Sequence, residues 1–139
     1  MDTLQAAFET ACGKFNGSNL DSLSEPDRVL VTIWGLEAEV NNGGVDQYYL
    51  NGAGDQAFFA PVALSLIGAN QMAAIVKEAN AAFGAAGPPP DWQLRRERLL
   101  GLTGREAGLW DRLDGEFYEY PDDIAALLTA YLRAHGLDV

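Results

Sequence analysis

An all-α fold, compact and built from about six to eight helices in a single domain over residues 1–139, is what the sequence predicts, and three observations predict it. Apolar residues recur at three- and four-residue steps in each patterned segment, as they do on the buried face of a helix. The segment boundaries carry capping residues, Gly or Pro. No stretch of comparable quality alternates apolar and polar residues as a half-buried strand would.

The first helix is expected around Leu4 to Phe15, with Cys12 a small buried hydrophobe on it. Ser24-Glu25-Pro26-Asp27 then supplies an N-cap, a tolerated early Pro and an acid three positions after the Ser, so a second helix should run from about Glu25 to Val40. Met72, Ile75, Val76, Ala79 and Phe83 form the stripe of a later helix ending at Gly84. Pro88-Pro89-Pro90 lacks backbone N–H groups and restrains the preceding residues, which makes 85–90 an internal extended loop. Asp91 can cap a helix carrying Trp92, Leu99 and Leu102, and Leu109, Trp110, Leu113 and Phe117 continue the period. Asp114 to Tyr120 reads as a turn-rich link. Pro121 then opens the last helix, with Ile124, Leu127, Leu128 and Tyr131 on its stripe and Gly136 beyond its end.

The least ordinary stretch is Glu37 to Gly52, where amides, glycines and tyrosines stand between two apolar runs. Asn-Gly beside the alternating Leu36, Ala38 and Val40 is a hairpin signal, but Val29, Ile33, Leu36 and Val40 fit a helix over more positions. The junction Asn41, Asn42, Gly43 and Gly44 therefore reads as a helix stop, and Asp46 as the cap of the next helix. Gln47, Tyr48 and Asn51 would share one polar-aromatic face of that helix, either satisfying backbone groups at the junction with wet tyrosine hydroxyls or serving a binding site nearby.

Composition narrows the function. Twenty acidic and nine basic residues give a net charge of −11, which disfavours direct nucleic-acid binding and anionic membranes and favours basic partners or simple solubility. Residues 1–94 hold eleven acids against three bases, and Arg95-Arg96-Glu97-Arg98 is a local positive spot. The lone Cys12 excludes an intrachain disulfide. Met1-Asp2-Thr3-Leu4 lacks a basic region followed by an apolar run, and no apolar run approaches a membrane span, so a soluble cytoplasmic protein is expected.

Catalytic groups are sparse. The one histidine, His135, falls where it would cap the last helix through the dipole rather than serve a nucleophile. Clustered Cys and His for zinc and a Gly-rich phosphate loop are absent, so neither metal nor cofactor is expected. Glu37 and Glu39 point apart on a helix and do not form an acid–base pair.

Leu23-Ser24-Glu25-Pro26-Asp27-Arg28-Val29-Leu30, the block Glu37 to Gly52 and Phe117-Tyr118-Glu119-Tyr120-Pro121-Asp122-Asp123 together resemble the bacterial DNA-mimic protein family, largely catalogued as a domain of unknown function. Val45 stands where that family usually carries an aromatic, and Gly52-Ala53 where Ser is frequent after the Asn. The resemblance implies an all-helical cytoplasmic protein, able to form a homodimer, whose acidic surface imitates duplex phosphates and occupies the groove of a basic DNA-binding protein such as a transcription regulator. On charge density the candidates for that surface are Asp21, Glu25, Asp27, Glu37, Glu39, Asp46 and Asp55 in the first part and Asp114, Glu116, Glu119, Asp122 and Asp123 in the second. The alternatives are an immunity or toxin-neutralising protein, which would also be small and acidic, and an enzyme with a carboxylate–amide pocket of Glu37, Asn41, Gln47 and Tyr48.

Overall fold

The computed structural model describes residues 3–15 and 20–139. Among them are eight α-helices and no strand: α1 (Thr3–Phe15), α2 (Glu25–Gly43), α3 (Val45–Leu50), α4 (Ala60–Leu66), α5 (Asn70–Ala81), α6 (Trp92–Arg105), α7 (Ala107–Tyr118) and α8 (Ile124–Ala134), with short 3₁₀ turns at Leu20–Ser22 and Gly52–Gln56.

The long helix α2 organises the packing. It lies against α1, α3, α4 and α8, and its stripe of Val29, Leu30, Ile33, Leu36 and Val40 is almost wholly excluded from solvent. Residues a turn apart face one side, so a single helix with this period can contact several neighbours along its length. Ser24 starts it as expected, its hydroxyl accepting the Asp27 N–H at 3.4 Å, with Pro26 in the first turn. A second aromatic centre forms where α3, α5 and α7 meet. Tyr49 lies 4.9 Å from the Phe83 ring and 5.9 Å from that of Trp110, in the tilted and edge-on arrangements that rings prefer.

Three expectations about boundaries need correction. Residues 114–118 are helix, not a turn-rich link, because Leu113 and Phe117 extend the buried stripe begun at Trp110, while Gly115 sits on the outer face with nothing near it. The chain turns only afterwards, at Tyr120, which has a positive φ of 47°. Pro121 does not open the last helix either. Asp123 does, its carboxylate accepting the Ala126 N–H at 3.2 Å, and α8 ends at His135, whose ring nitrogen Nδ1 lies 2.8 Å from the Tyr131 carbonyl oxygen. Finally, Asn41, Asn42 and Gly43 all remain helical, and only Gly44, at φ 97°, breaks α2.

The Arg95-Arg96-Glu97-Arg98 run is not a positive spot as a whole, because Arg95 points inward and is fully buried. Its guanidinium donates from Nε to the Tyr49 carbonyl at 2.8 Å, from one terminal nitrogen to the Asn51 carbonyl at 2.9 Å and from the other to the carbonyls of Pro89 and Pro90. Asp55 closes the arrangement at 2.9 Å. The Pro-rich loop and the end of α3 both present carbonyls to the same point, of which that of Asn51 also accepts the Gly54 N–H at 3.0 Å, and one planar fork of N–H groups bonds them together.

Replacing Arg95 with Met should therefore destabilise the protein by about 3 kcal/mol, because several buried carbonyls lose their donor at once. Arg95→Lys should recover little of this, since a point ammonium cannot span the same acceptors. Urea denaturation of the two variants checks both expectations.

Candidate functional site

The α2–α3 junction is built by a glycine and a carboxylate from a distant helix. Gly44 takes a backbone conformation that L side chains rarely adopt, which turns the chain sharply and leaves the first N–H groups of α3 without intrahelical partners. Asp46 was expected to cap that helix, yet it sits inside the first turn and Gly44 occupies the cap position with no side-chain bond. Asp114 of α7 fills the role instead, its Oδ1 accepting the Val45 N–H at 2.7 Å. A β-carbon at Gly44 would come within 3.1 Å of both Asp114 Oδ2 and Asp46 Oδ1, so two carboxylates close over the same turn. Gly43 is constrained differently: a side chain there would collide with the Gln47 amide.

Charge is concentrated at this corner, and no ion pair among the described residues offsets it. Burial raises the Asp114 carboxyl above its ordinary value, the bond from Val45 pulls it back, and the charges of Asp46 and Asp111 raise it further. Asp111, exposed on α7, and Asp46 make no ion pair among the described residues. Tyr118 stands beside them, half exposed, its hydroxyl donating to the Val40 carbonyl at 2.7 Å. Burial and then the fields of Asp114 and Asp46 push that phenol upward.

A second polar group lies one turn away. Glu39 Oε2 accepts from Gln47 Nε2 at 3.1 Å and from Asn51 Nδ2 at 2.6 Å, which ties the end of α3 back to α2. This is the junction face that the sequence suggested, with one exception. Tyr48 is fully buried rather than part of that face, and Tyr49 is buried too, its hydroxyl donating to Asn80 Oδ1 at 2.7 Å, so neither keeps a wet hydroxyl. Glu37 and Asn41 face another side of α2, toward Tyr120, and the four-residue pocket of Glu37, Asn41, Gln47 and Tyr48 does not form.

The remaining candidate acids divide by what they hold. Asp27 is buried and paired with Lys14 at 3.1 Å, which removes it from any binding surface. Asp122 accepts the Met72 N–H at 2.8 Å and so caps α5 from outside, while Asp123 caps α8. Asp55 pairs with Arg95 and Glu116 with Arg112, which also bonds Glu78. Glu25 and Glu119 are exposed. The side chain of Asp21 lies outside the described residues. Asp111 was missed by the sequence reading, although it is three residues before Asp114 and therefore on the same face of a helix; reading 114–120 as a link hid that relation.

The fold and this corner define a class: an all-helical protein with excess carboxylate gathered at helix ends. The DMP19-like protein family matches residues 21–135, most of the chain, and the chain belongs to that family, a DNA-mimic protein family. No curated protein and no solved structure matches it.

Two outcomes follow from the corner. Asp114→Ala should cost about 1 kcal/mol in urea denaturation, the usual worth of a helix cap, whereas Asp114→Asn keeps an acceptor for Val45 and should cost much less. Because the folded protein holds the Asp114 proton more tightly than the unfolded chain does, this group's contribution to stability falls as pH rises upward from its ordinary value of 3.8, and that part of the pH dependence should vanish in Asp114→Asn.

Proposed function

We propose that this protein acts as a DNA mimic, occupying the DNA-binding face of a basic DNA-binding protein such as a transcription regulator. The observation that supports the proposal is the carboxylate group Asp46, Asp111 and Asp114 near the Gly44 turn, which has no ion pair among the described residues, with family membership beside it. Asp27 and Asp55 are matched by a base and Asp122 and Asp123 are spent on helix ends, whereas Asp46 and Asp111 have no ion pair among the described residues and raise the Asp114 carboxyl by like-charge repulsion. Repulsion of that kind is relieved when a cationic surface docks. Duplex DNA presents one phosphate per roughly 1.7 Å of axis, and a surface that offers carboxylates to the same Arg and Lys side chains competes with it. Glu25 and Glu119 extend the proposed surface beyond the corner; Asp27, Glu39, Asp122 and Asp123 are left out of it because they hold the fold together.

A second reading, a protein-neutralising role of the immunity type, is favoured by one observation. Val62 and Leu66 on α4, with Phe58 in the turn before it, recur every four residues and are 49, 43 and 61% exposed. Contact there would be apolar.

Salt separates the two. A partner bound through the corner should lose affinity as ionic strength rises, and the pair Asp46→Lys, Asp111→Lys should slow association by roughly tenfold or more while far-ultraviolet circular dichroism stays unchanged. Binding that ignores both salt and these substitutions, yet fails in Val62→Asp, would overturn the mimic reading in favour of the apolar one.

A further inference from the structure

A groove of about 290 Å³ opens between α1, α2 and α8, away from the Gly44 corner. Leu4, Trp34, Ala38 and Leu128 make its apolar walls, and its polar lining is Glu37 and Asn41. Trp34 is held in place by stacking on Phe8, with ring centres 4.9 Å apart. Among the described residues Glu37 is the one charged group in this lining.

The hydrogen bonds beside the groove run in one direction. Tyr120 donates its hydroxyl proton to Glu37 Oε2 at 2.8 Å, so the Tyr120 hydroxyl oxygen accepts from Asn41 Nδ2 at 2.9 Å. That fixes the Asn41 amide and leaves two acceptors, Asn41 Oδ1 and Glu37 Oε1, with no hydrogen bond among the described residues, one helical turn apart on α2. The arrangement is maintained at a cost, since Tyr120 sits in the left-handed region at φ 47°, which a bulky residue seldom adopts. Burial holds the Glu37 carboxyl above its ordinary value, with the Tyr120 bond opposing. A carboxylate kept among apolar walls is stabilised by a cation that fits those walls.

We propose that this groove receives an arginine side chain of a protein partner, the aliphatic stem against Leu4, Ala38 and Leu128 and the guanidinium on Glu37 Oε1 and Asn41 Oδ1. Charge complementarity commits the site to a cation. The paired acceptors and the indole of Trp34 select a planar guanidinium, which offers several N–H groups in a fixed fork and stacks on aromatic faces, over a compact ammonium. The inference rests on the reading of the chain as a binder of basic proteins, but it concerns a different surface and is tested without any partner.

The experiment is a titration of ¹⁵N-labelled protein with N-acetyl-arginine amide, followed by amide and indole N–H spectra. Saturable shifts of the Trp34 indole and the Asn41 side-chain amide are expected, with a dissociation constant on the order of millimolar for so small a probe. Glu37→Gln retains a carbonyl oxygen for the Tyr120 hydroxyl while removing the charge, and should weaken binding about tenfold. Ala38→Leu, on an exposed wall, should block the groove with the charge intact. Shifts that survive in Glu37→Gln and Ala38→Leu, shifts spread over the acidic surface instead of the groove, or equal binding of N-acetyl-lysine amide would overturn the proposal. Partner binding that stays sensitive to Asp46 and Asp111 in such a case would leave the mimic reading standing and remove only this site.

Discussion

The fully buried Arg95 guanidinium is the interaction on which the rest of the arrangement depends. It gathers the carbonyls of Tyr49, Asn51, Pro89 and Pro90, which belong to the end of α3 and to the loop before α6, and it carries Asp55 as its counter-ion. A buried charge is tolerable only when its donors are matched, and here they are matched mostly by backbone. The approach is close enough that Gly54 has no room for a β-carbon, which would meet the Tyr48 carbonyl oxygen at 2.5 Å and Arg95 Nε at 3.1 Å. By fixing the far end of a six-residue helix, Arg95 fixes its near end, and with it the Gly44 turn where the carboxylates collect.

Much of the acidity of this protein is explained before function is invoked. Helix N-termini present unpaired N–H groups and the positive end of the dipole, so a carboxylate there is both a hydrogen-bond acceptor and a favourable charge. Asp91 and Asp123 cap their own helices, whereas Asp114 and Asp122 reach across from other parts of the chain to cap α3 and α5. Such remote caps join elements that are far apart in sequence, which gives an acidic chain long-range specificity from groups that would otherwise only repel. What this accounting leaves over is the charge that the proposed surface would use. Asp46 and Asp111 have no ion pair among the described residues, and Asp114, which caps α3 through Oδ1, still turns its second oxygen toward the Gly44 turn.

The sequence revealed the helices better than the site. Periods of three and four residues located α2, α5 and α8, and the caps Ser24 and Asp91 came from residue type alone, because those signals are local. The extent of α7 was misjudged because Asp114, Gly115 and Glu116 resemble a turn when read singly, while the buried Leu113 and Phe117 on either side decide the matter. Asp27, Asp114 and Asp122 were recognised as acids but not as ion-pair partner or remote caps, since each depends on a residue 13 to 69 positions away. Arg95 was mistaken for surface for the same reason: nothing in a run of three arginines says which one turns inward. Tyr120 belongs with them, since its contact with Glu37 spans 83 positions.

The central claim is that this acidic surface stands in for DNA. Its most direct test is to immobilise the protein, capture basic DNA-binding proteins from a lysate of the source cells at low salt, and then elute with increasing duplex DNA. The account predicts that DNA releases the captured proteins in a concentration-dependent way, since both ligands would occupy one face. Capture that persists at saturating DNA, with the eluted proteins still free to bind duplex, would contradict it.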